Sequence, residues 1–220
     1  MDFKPTSIMY TGPHIITDGL VVALDAASLR SYSGTGSNIT NLSGTATATL
    51  EGTTSYSTSS LGTKPGGIGV IRLTNNDTSN NNISHIQLSS VSDITTISLW
   101  YYLHSTSSTR YLLDKRTGGS SGYIYSGGPG SNWSSGNLYI NGGTNQTLTW
   151  SNIETGALNN WRNTTVIANT PSTDDINLFS RYSDNEGYDV SLGYALIYNR
   201  VITDAENKQN YNALKSRFGL

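Results

Sequence analysis

"VSLGYALIYNRVITDAENKQNYNALKSRFGL" closes the chain as residues 190–220, and it sets a strand directly before a helix. In its first part Val190, Leu192, Tyr194, Leu196 and Tyr198 alternate with Ser191, Gly193, Ala195 and Ile197. That is the two-residue period of a strand, with one bulky face and one of mostly small residues. The small face leaves room for another element to approach closely. The period then changes. Thr203 is a good N-cap, and Glu206 three residues later completes a capping box. Asp204 and Glu206 open the helix while Lys215 and Arg217 close it, each matching the helix dipole. Tyr211, Leu214 and Phe218 form a narrow apolar stripe, and Gly219 supplies a stop. The pattern predicts a helix over 204–217 that lies on a sheet; the same stripe would also suit docking to a partner.

Upstream, the two-residue period dominates. In "ITTISLWYYL" (94–103) one face carries Ile97, Leu99, Tyr101 and Leu103, and the other Thr96, Ser98, Trp100 and Tyr102. Further strands are expected over 19–25, 45–50, 68–73, 83–88, 110–115, 122–126, 137–141, 146–150, 164–168 and 175–180. Gly- and Asn-rich loops separate them and supply the positive-φ positions of tight connections. Short strands at such spacing predict an all-β jelly-roll sandwich of two antiparallel sheets, closed by one C-terminal helix. No repeat, charged linker or composition shift divides the chain. It reads as one domain, 18–220, preceded by an arm, 1–17, too short to fold alone.

With 35% hydrophobic and 13% charged residues, the chain can bury a core beneath an uncharged polar surface. Its 14 Tyr, 4 Trp and 3 Phe separate it from disordered Ser/Thr/Asn-rich sequences. A net charge of −2 and no basic run argue against nucleic acid as a partner. Without cysteine there is neither a disulfide framework nor a thiolate metal site. The first residues lack the pattern of a signal peptide, and no apolar run approaches membrane-spanning length. The Asn-x-Ser/Thr matches, such as those at Asn38, Asn132 and Asn163, read as accidents of composition.

Two stretches carry more. "DGLVVALDAASLRSYSGTGSNITNLSG" (18–44), together with residues 191–219, resembles the concanavalin A-like lectin/glucanase superfamily. More narrowly, it resembles the laminin G-like jelly-roll proteins of marine tailed phages. The resemblance implies a concanavalin A-like sandwich whose first and last strands are neighbours, with the helix packed after the last strand. It further implies a structural protein of a phage virion, as capsid decoration or a fibre-associated component. On that reading the arm is held by other virion proteins in an oligomeric assembly, and the protein is made in the host cytoplasm. The chain departs from the family in reading Ile39-Thr40-Asn41 where relatives often carry Trp. It also lacks their acidic run in "VIRLTNND" (70–77).

Catalysis has little to stand on. The glucanase pattern of two glutamates around an aspartate finds only Asp184, Glu186 and Asp189, with the acids exchanged and a glycine between them. Gly118–Gly122 matches Gly-x-Ser-x-Gly around Ser120 but precedes a strand, so it reads as a turn. His14, His85 and His104 have no metal-ligand spacing, and Asp77 alone is a poor calcium site. The expectation is a non-enzyme without cofactor or metal. Binding is better served, because sugars stack on aromatic rings and hydrogen-bond to amides and carboxylates. Trp133 beside Asn132 in a Gly/Ser loop, and Tyr182, Asp184, Asn185 and Tyr188 in a second loop, are the candidate glycan contacts. Each has a structural alternative: a Trp folded over the core, and a solvated hairpin tip. A glycan-binding adhesin is therefore the alternative to the virion component, and a glycoside hydrolase stands last.

Overall fold

A computed structural model describes residues 13–52, 54–57, 69–75, 83–106, 109–115, 121–182 and 186–220. Its strands begin with β1 (Leu20–Asp25), β2 (Asn38–Ile39), β3 (Thr47–Glu51), β4 (Thr54–Ser57), β5 (Val70–Leu73) and β6 (His85–Leu103). They continue with β7 (Tyr111–Lys115), β8 (Tyr123–Tyr125), β9 (Gly128–Pro129), β10 (Asn137–Ile140), β11 (Gln146–Thr147), β12 (Trp161–Leu178) and β13 (Val190–Tyr198). A short helix α1 (Trp150–Glu154) begins where the sequence suggests the end of a strand. Thr149 caps it by accepting from the Asn152 amide at 3.2 Å, which favours a turn of helix there. Helix α2 (Asp204–Leu214) runs into a 3₁₀ turn, Lys215–Arg217, as the cap and charge pattern require.

The architecture is an antiparallel β-sandwich whose two layers share their longest strands. The front layer runs β11-β10-β12-β6-β13, with β1 and the β5–β4 hairpin side by side along the far edge of β13. The back layer runs β2-β3-β6-β12-β7-β8-β9. Strands β6 and β12 each unite two of the expected strands, and they bend between the layers. The polar stretches between those halves resemble turns, yet the ladder survives them. Ser90 and Asp93 take positive φ on β6. Their amides donate to side chains of β12 instead of carbonyls: Ser90 to Asp175 Oδ1 at 2.8 Å and Asp93 to Thr173 Oγ1 at 3.1 Å. These are bulges with their lost hydrogen bonds replaced.

The main core lies between the layers. Ile97, Leu99, Tyr101 and Leu103 face it from the front, and Ile86, Leu88, Ile176 and Leu178 from the back. On β13 the expected alternation fails midway. Val190 and Leu192 point into this core, but so do Ala195 and Ile197, while Tyr194, Leu196 and Tyr198 point outward. The cause is a bulge, seen as a register shift against β6 between Leu192 and Tyr194. A bulge exchanges the faces of every residue beyond it.

The outward face of the front layer is roofed by α2. Trp100 stacks on Phe218 with centroids 4.8 Å apart and on Tyr211 at 5.4 Å. Trp161, Tyr194, Leu214 and Phe218 complete this second core. Gly193 lies directly beneath Phe218, where a Cβ would collide with the ring. Only glycine admits so close an approach. Under the roof Asn163 Nδ2 donates to Ser98 Oγ at 2.9 Å, while Trp100 Nε1 is buried without a hydrogen-bond partner.

β1 pairs with β13, as the resemblance implies. Its other edge is closed by the turn at 41–44, chiefly through Asn41. Asn41 Oδ1 accepts from the Ala23 amide at 2.9 Å, and Nδ2 donates to the Val21 carbonyl at 3.0 Å. Gly44, at φ +78°, brings the turn so near that a Cβ would sit 2.6 Å from the Val21 carbonyl. The "NLSG" turn is thus a stand-in strand that satisfies an open sheet edge. The described part of the arm rests on its own domain. The Ile16 amide donates to Asn210 Oδ1 at 2.8 Å, and Tyr198 Oη donates to the Ile16 carbonyl at 2.9 Å. Residues 13–17 therefore do not need a neighbour to hold them. No helix among the described residues is long and apolar enough to cross a membrane.

Candidate functional site

Of the two aromatic loops read from sequence, neither offers its principal ring to solvent. Trp133 is 0% exposed. It folds into the main core, donating from Nε1 to the Gly122 carbonyl at 3.0 Å, with Lys115 Nζ 5.1 Å from its ring centre. The apolar ring gains more from burial than a Gly/Ser loop gains by displaying it, so Trp133 cannot stack on a sugar. Asn132 beside it is half-buried, and its carbonyl accepts from the Asn169 amide at 3.0 Å. Tyr188 is also 0% exposed and packs against Tyr101 and Trp150, which removes it from the candidate contacts. Asp184 and Asn185 lie outside the described residues. Tyr182 is half-buried and stays at the surface.

Tyr182 leads to a different group of residues. Its backbone amide donates to Asp114 Oδ2 at 2.9 Å, which ties the loop after β12 to β7. Asp114 faces away from the core, directly across from Tyr123 on β8, and the next outward positions pair Tyr111 with Tyr125. In β8 only Ile124 reaches the core, so Tyr123 and Tyr125 emerge together on the outer face of the back layer, both half-exposed. Tyr123 and Tyr125 meet edge to face at 4.9 Å, and Tyr125 stacks on Tyr111 at 5.1 Å. The rings touch one another, leaving no cage between them; what they offer is an outer wall.

Charged groups border this wall. Arg181 holds Glu186 at 3.2 Å, and both bear electrostatically on the Tyr111 hydroxyl, as Asp114 does. Asp114 is 5% exposed, and its Oδ1 is buried without a hydrogen-bond partner. Burial pushes its carboxyl up to about 6, against the opposing pull of the Tyr182 amide and Arg181. An unpaired buried carboxylate oxygen costs on the order of 1–3 kcal/mol. The group is chemically suited to a polyhydroxylated ligand: ring faces for its C–H surface, acceptors for its hydroxyls.

The sequence signal for this site was the alternation Tyr123-Ile124-Tyr125, two aromatics on one face about an apolar residue turned inward. It was outweighed by the more conspicuous tryptophan. Elsewhere, a cavity of about 350 Å³ beside β2 and β3 is lined by uncharged residues such as Asn38, Thr40, Asn41 and Thr47, and brings together none of the candidates. Among the described residues no cluster of His, Asp or Glu could hold a metal ion. Asp189, in the acidic run considered for catalysis, pairs with Arg72 at 2.5 Å, while Ser120 and Asp77 lie outside the described residues.

No protein-family model matches the sequence, and no curated protein matches it. Solved structures do match in fold. The binding domain of botulinum neurotoxin DC, in complex with rat synaptotagmin II, gives a TM-score of 0.53 at 13% identity over 90% of this chain. The same domain in complex with SialylT gives 0.52 at 12% identity, again over 90%. A sialidase of Trypanosoma rangeli gives 0.51 at 11% identity over 91% of this chain and 34% of its own. The chain spans about half the length of the neurotoxin binding domains, 52%. These likenesses define the fold: an antiparallel β-sandwich, here carrying one C-terminal roofing helix.

Proposed function

We propose that this chain is a non-catalytic carbohydrate-binding domain that seats a glycan on the Tyr123–Tyr125 wall. The observation that carries the reading is the pair of half-exposed tyrosines, Tyr123 and Tyr125, meeting edge to face on the outer side of the back layer. Aromatic contacts of this kind contribute about 1 kcal/mol each beyond their buried area. The lectin-like sandwich is compatible support, as are the arginines that occupy Glu186 and Asp189. The domain's place, in this proposal, is a tailed-phage particle, as capsid decoration or a fibre-associated component. That part rests on the resemblance carried by residues 18–44 and 191–219. Any virion contact made by the arm falls to residues 1–12, which lie outside the described residues.

The test is a glycan array with the purified protein, run beside Tyr123→Ala, Tyr125→Ala and Trp133→Phe. Binding that falls at least tenfold in both tyrosine variants and survives in Trp133→Phe is the expected result. A wild-type protein that binds no glycan, or tyrosine variants that bind as well as it does, would overturn the proposal.

A further inference from the structure

Resting on the carbohydrate-binding reading, we infer that the tyrosine wall is one end of a track crossing the back layer, and that its ligand is an internal stretch of a polysaccharide chain. The register of the sheet lays this track out. Asn38, Thr49, Gln87, Asn177, Asp114 and Tyr123 are successive cross-strand partners, one each from β2, β3, β6, β12, β7 and β8. The adjacent row, Leu50, Ile86, Leu178, Leu113 and Ile124, lies in the main core. Side chains alternate between the faces along a strand, so the row that ends at Tyr123 points outward throughout. At about 4.8 Å per strand it extends for roughly 24 Å.

The middle of the row is bridged. Asn177 and Asp114 are buried there, because the chain after β12 crosses over them. Asn177 Nδ2 donates to the Arg181 carbonyl at 3.3 Å, and the Tyr182 amide donates to Asp114 Oδ2 at 2.9 Å. Neither side chain is a ligand contact; both are positioning residues that set Tyr182, half-buried at the surface, on the line between the two ends. Beyond the crossing the row resurfaces. Gln87 and Thr49 are half-exposed, and Asn38 is exposed. Asn38 and Thr49, with Thr40 and Thr47, also line the cavity of about 350 Å³ beside β2 and β3.

The two ends offer different contacts to one kind of ligand. The wall supplies rings for the C–H faces of sugars, and the β3 end supplies amides and hydroxyls that both donate to and accept from sugar hydroxyls. The rings of the wall touch one another and leave no cage, so a single sugar is not enclosed there. A ligand gains from such a surface by length. Once one unit is seated, its neighbours meet the next contacts at high effective concentration.

Homologous series provide the test: laminari-, cello-, xylo- and malto-oligosaccharides from disaccharide to hexasaccharide, titrated calorimetrically against the purified protein. In a series that binds, the hexasaccharide should bind at least tenfold more tightly than the disaccharide. Tyr123→Ala should weaken every length. Gln87→Ala and Thr49→Val should each weaken the hexasaccharide several-fold and leave the disaccharide unchanged. A hexasaccharide no tighter than its disaccharide, with both lost in Tyr123→Ala, would overturn the track while leaving the carbohydrate-binding reading intact. So would a length dependence that neither Gln87→Ala nor Thr49→Val reduces. Binding that Tyr123→Ala does not weaken would overturn both. A protein silent in all four series overturns the track, and one silent across the wider array as well overturns both.

Discussion

The two outer faces of the sandwich are built from the same kinds of residue and put to different ends. On the front layer Trp100, Trp161 and Tyr194 stand beside Ser98, Thr96 and Asn163, and α2 with Phe218 buries these three rings. On the back layer Tyr111, Tyr123 and Tyr125 stand beside Asp114 and Asn177, and two of the rings keep a half-exposed surface. Composition alone would nominate either face as a sugar platform, the front more strongly for its tryptophans. The difference lies in what covers each one. Under the helix, the aromatic rings pack on one another and serve stability. On the back, rings remain accessible and a carboxylate oxygen lacks its donor.

If that contrast is correct, the largest effect should come from the front. Trp100 is 0% exposed and stacks on both Phe218 and Tyr211. Trp100→Ala should cost about 3–5 kcal/mol, the usual range for a large aromatic removed from a core. Chemical denaturation would report it, with amide exchange in α2 rising first because the helix loses its seat. A cost below about 1 kcal/mol would mean that α2 is not structural cover and would erase the distinction between the faces.

How far the sequence reveals this contrast depends on the element. The capping box of α2 was fully legible, because Thr203 and Glu206 act within one turn and need no tertiary partner. The face assignment of 94–103 also held, since uninterrupted alternation has only one reading. β13 did not behave so simply. Its bulge falls at Gly193, which packs under Phe218, a contact between residues 25 positions apart along the chain that no local period encodes. Residues 89–93 fall between two expected strands because nothing local shows that Asp175 and Thr173 will replace the ladder partners there. Trp133 and the tyrosine wall failed for a related reason. Burial is decided by what packs across the sheet, and a Gly/Ser loop around a tryptophan is the same string whether the ring turns in or out.

A second, smaller effect should sharpen the picture of the back face. Because the folded protein raises Asp114 to about 6, above its ordinary value of 3.8, the folded state favours the protonated form. The associated stability is present in full below the ordinary value and is lost as pH rises through the folded one. Asp114→Asn keeps an acceptor for the Tyr182 amide and removes the buried charge. It should therefore stabilise the protein by about 1–2 kcal/mol at pH 7.5 and by nothing below pH ~4. Comparing variant with wild type at each pH is essential, since His104 titrates in the same window with the opposite sign. Burial and Arg72 hold His104 down at about 4, so its contribution is present above 6.5 and fades as pH falls. A variant no more stable than wild type at pH 7.5 would show that the carboxylate is solvated and carries no unmet demand.

The smallest expected change in stability belongs to the wall itself. Tyr123 is half-exposed and touches Tyr125 and Tyr111 only at ring edges. Tyr123→Ala gives up part of a ring's burial and two edge contacts, so about 1 kcal/mol or slightly more is expected. Set beside Trp100→Ala, the same chemical truncation should cost several-fold less, even though both residues are aromatic strand positions pointing away from the main core. What Tyr123 does not contribute to folding remains available to a ligand. If thermal denaturation showed Tyr123→Ala to be as damaging as Trp100→Ala, the ring would be cover for Asp114 rather than a surface for a sugar. The back face would then be a second sealed core, and the binding site would have to lie elsewhere on the domain.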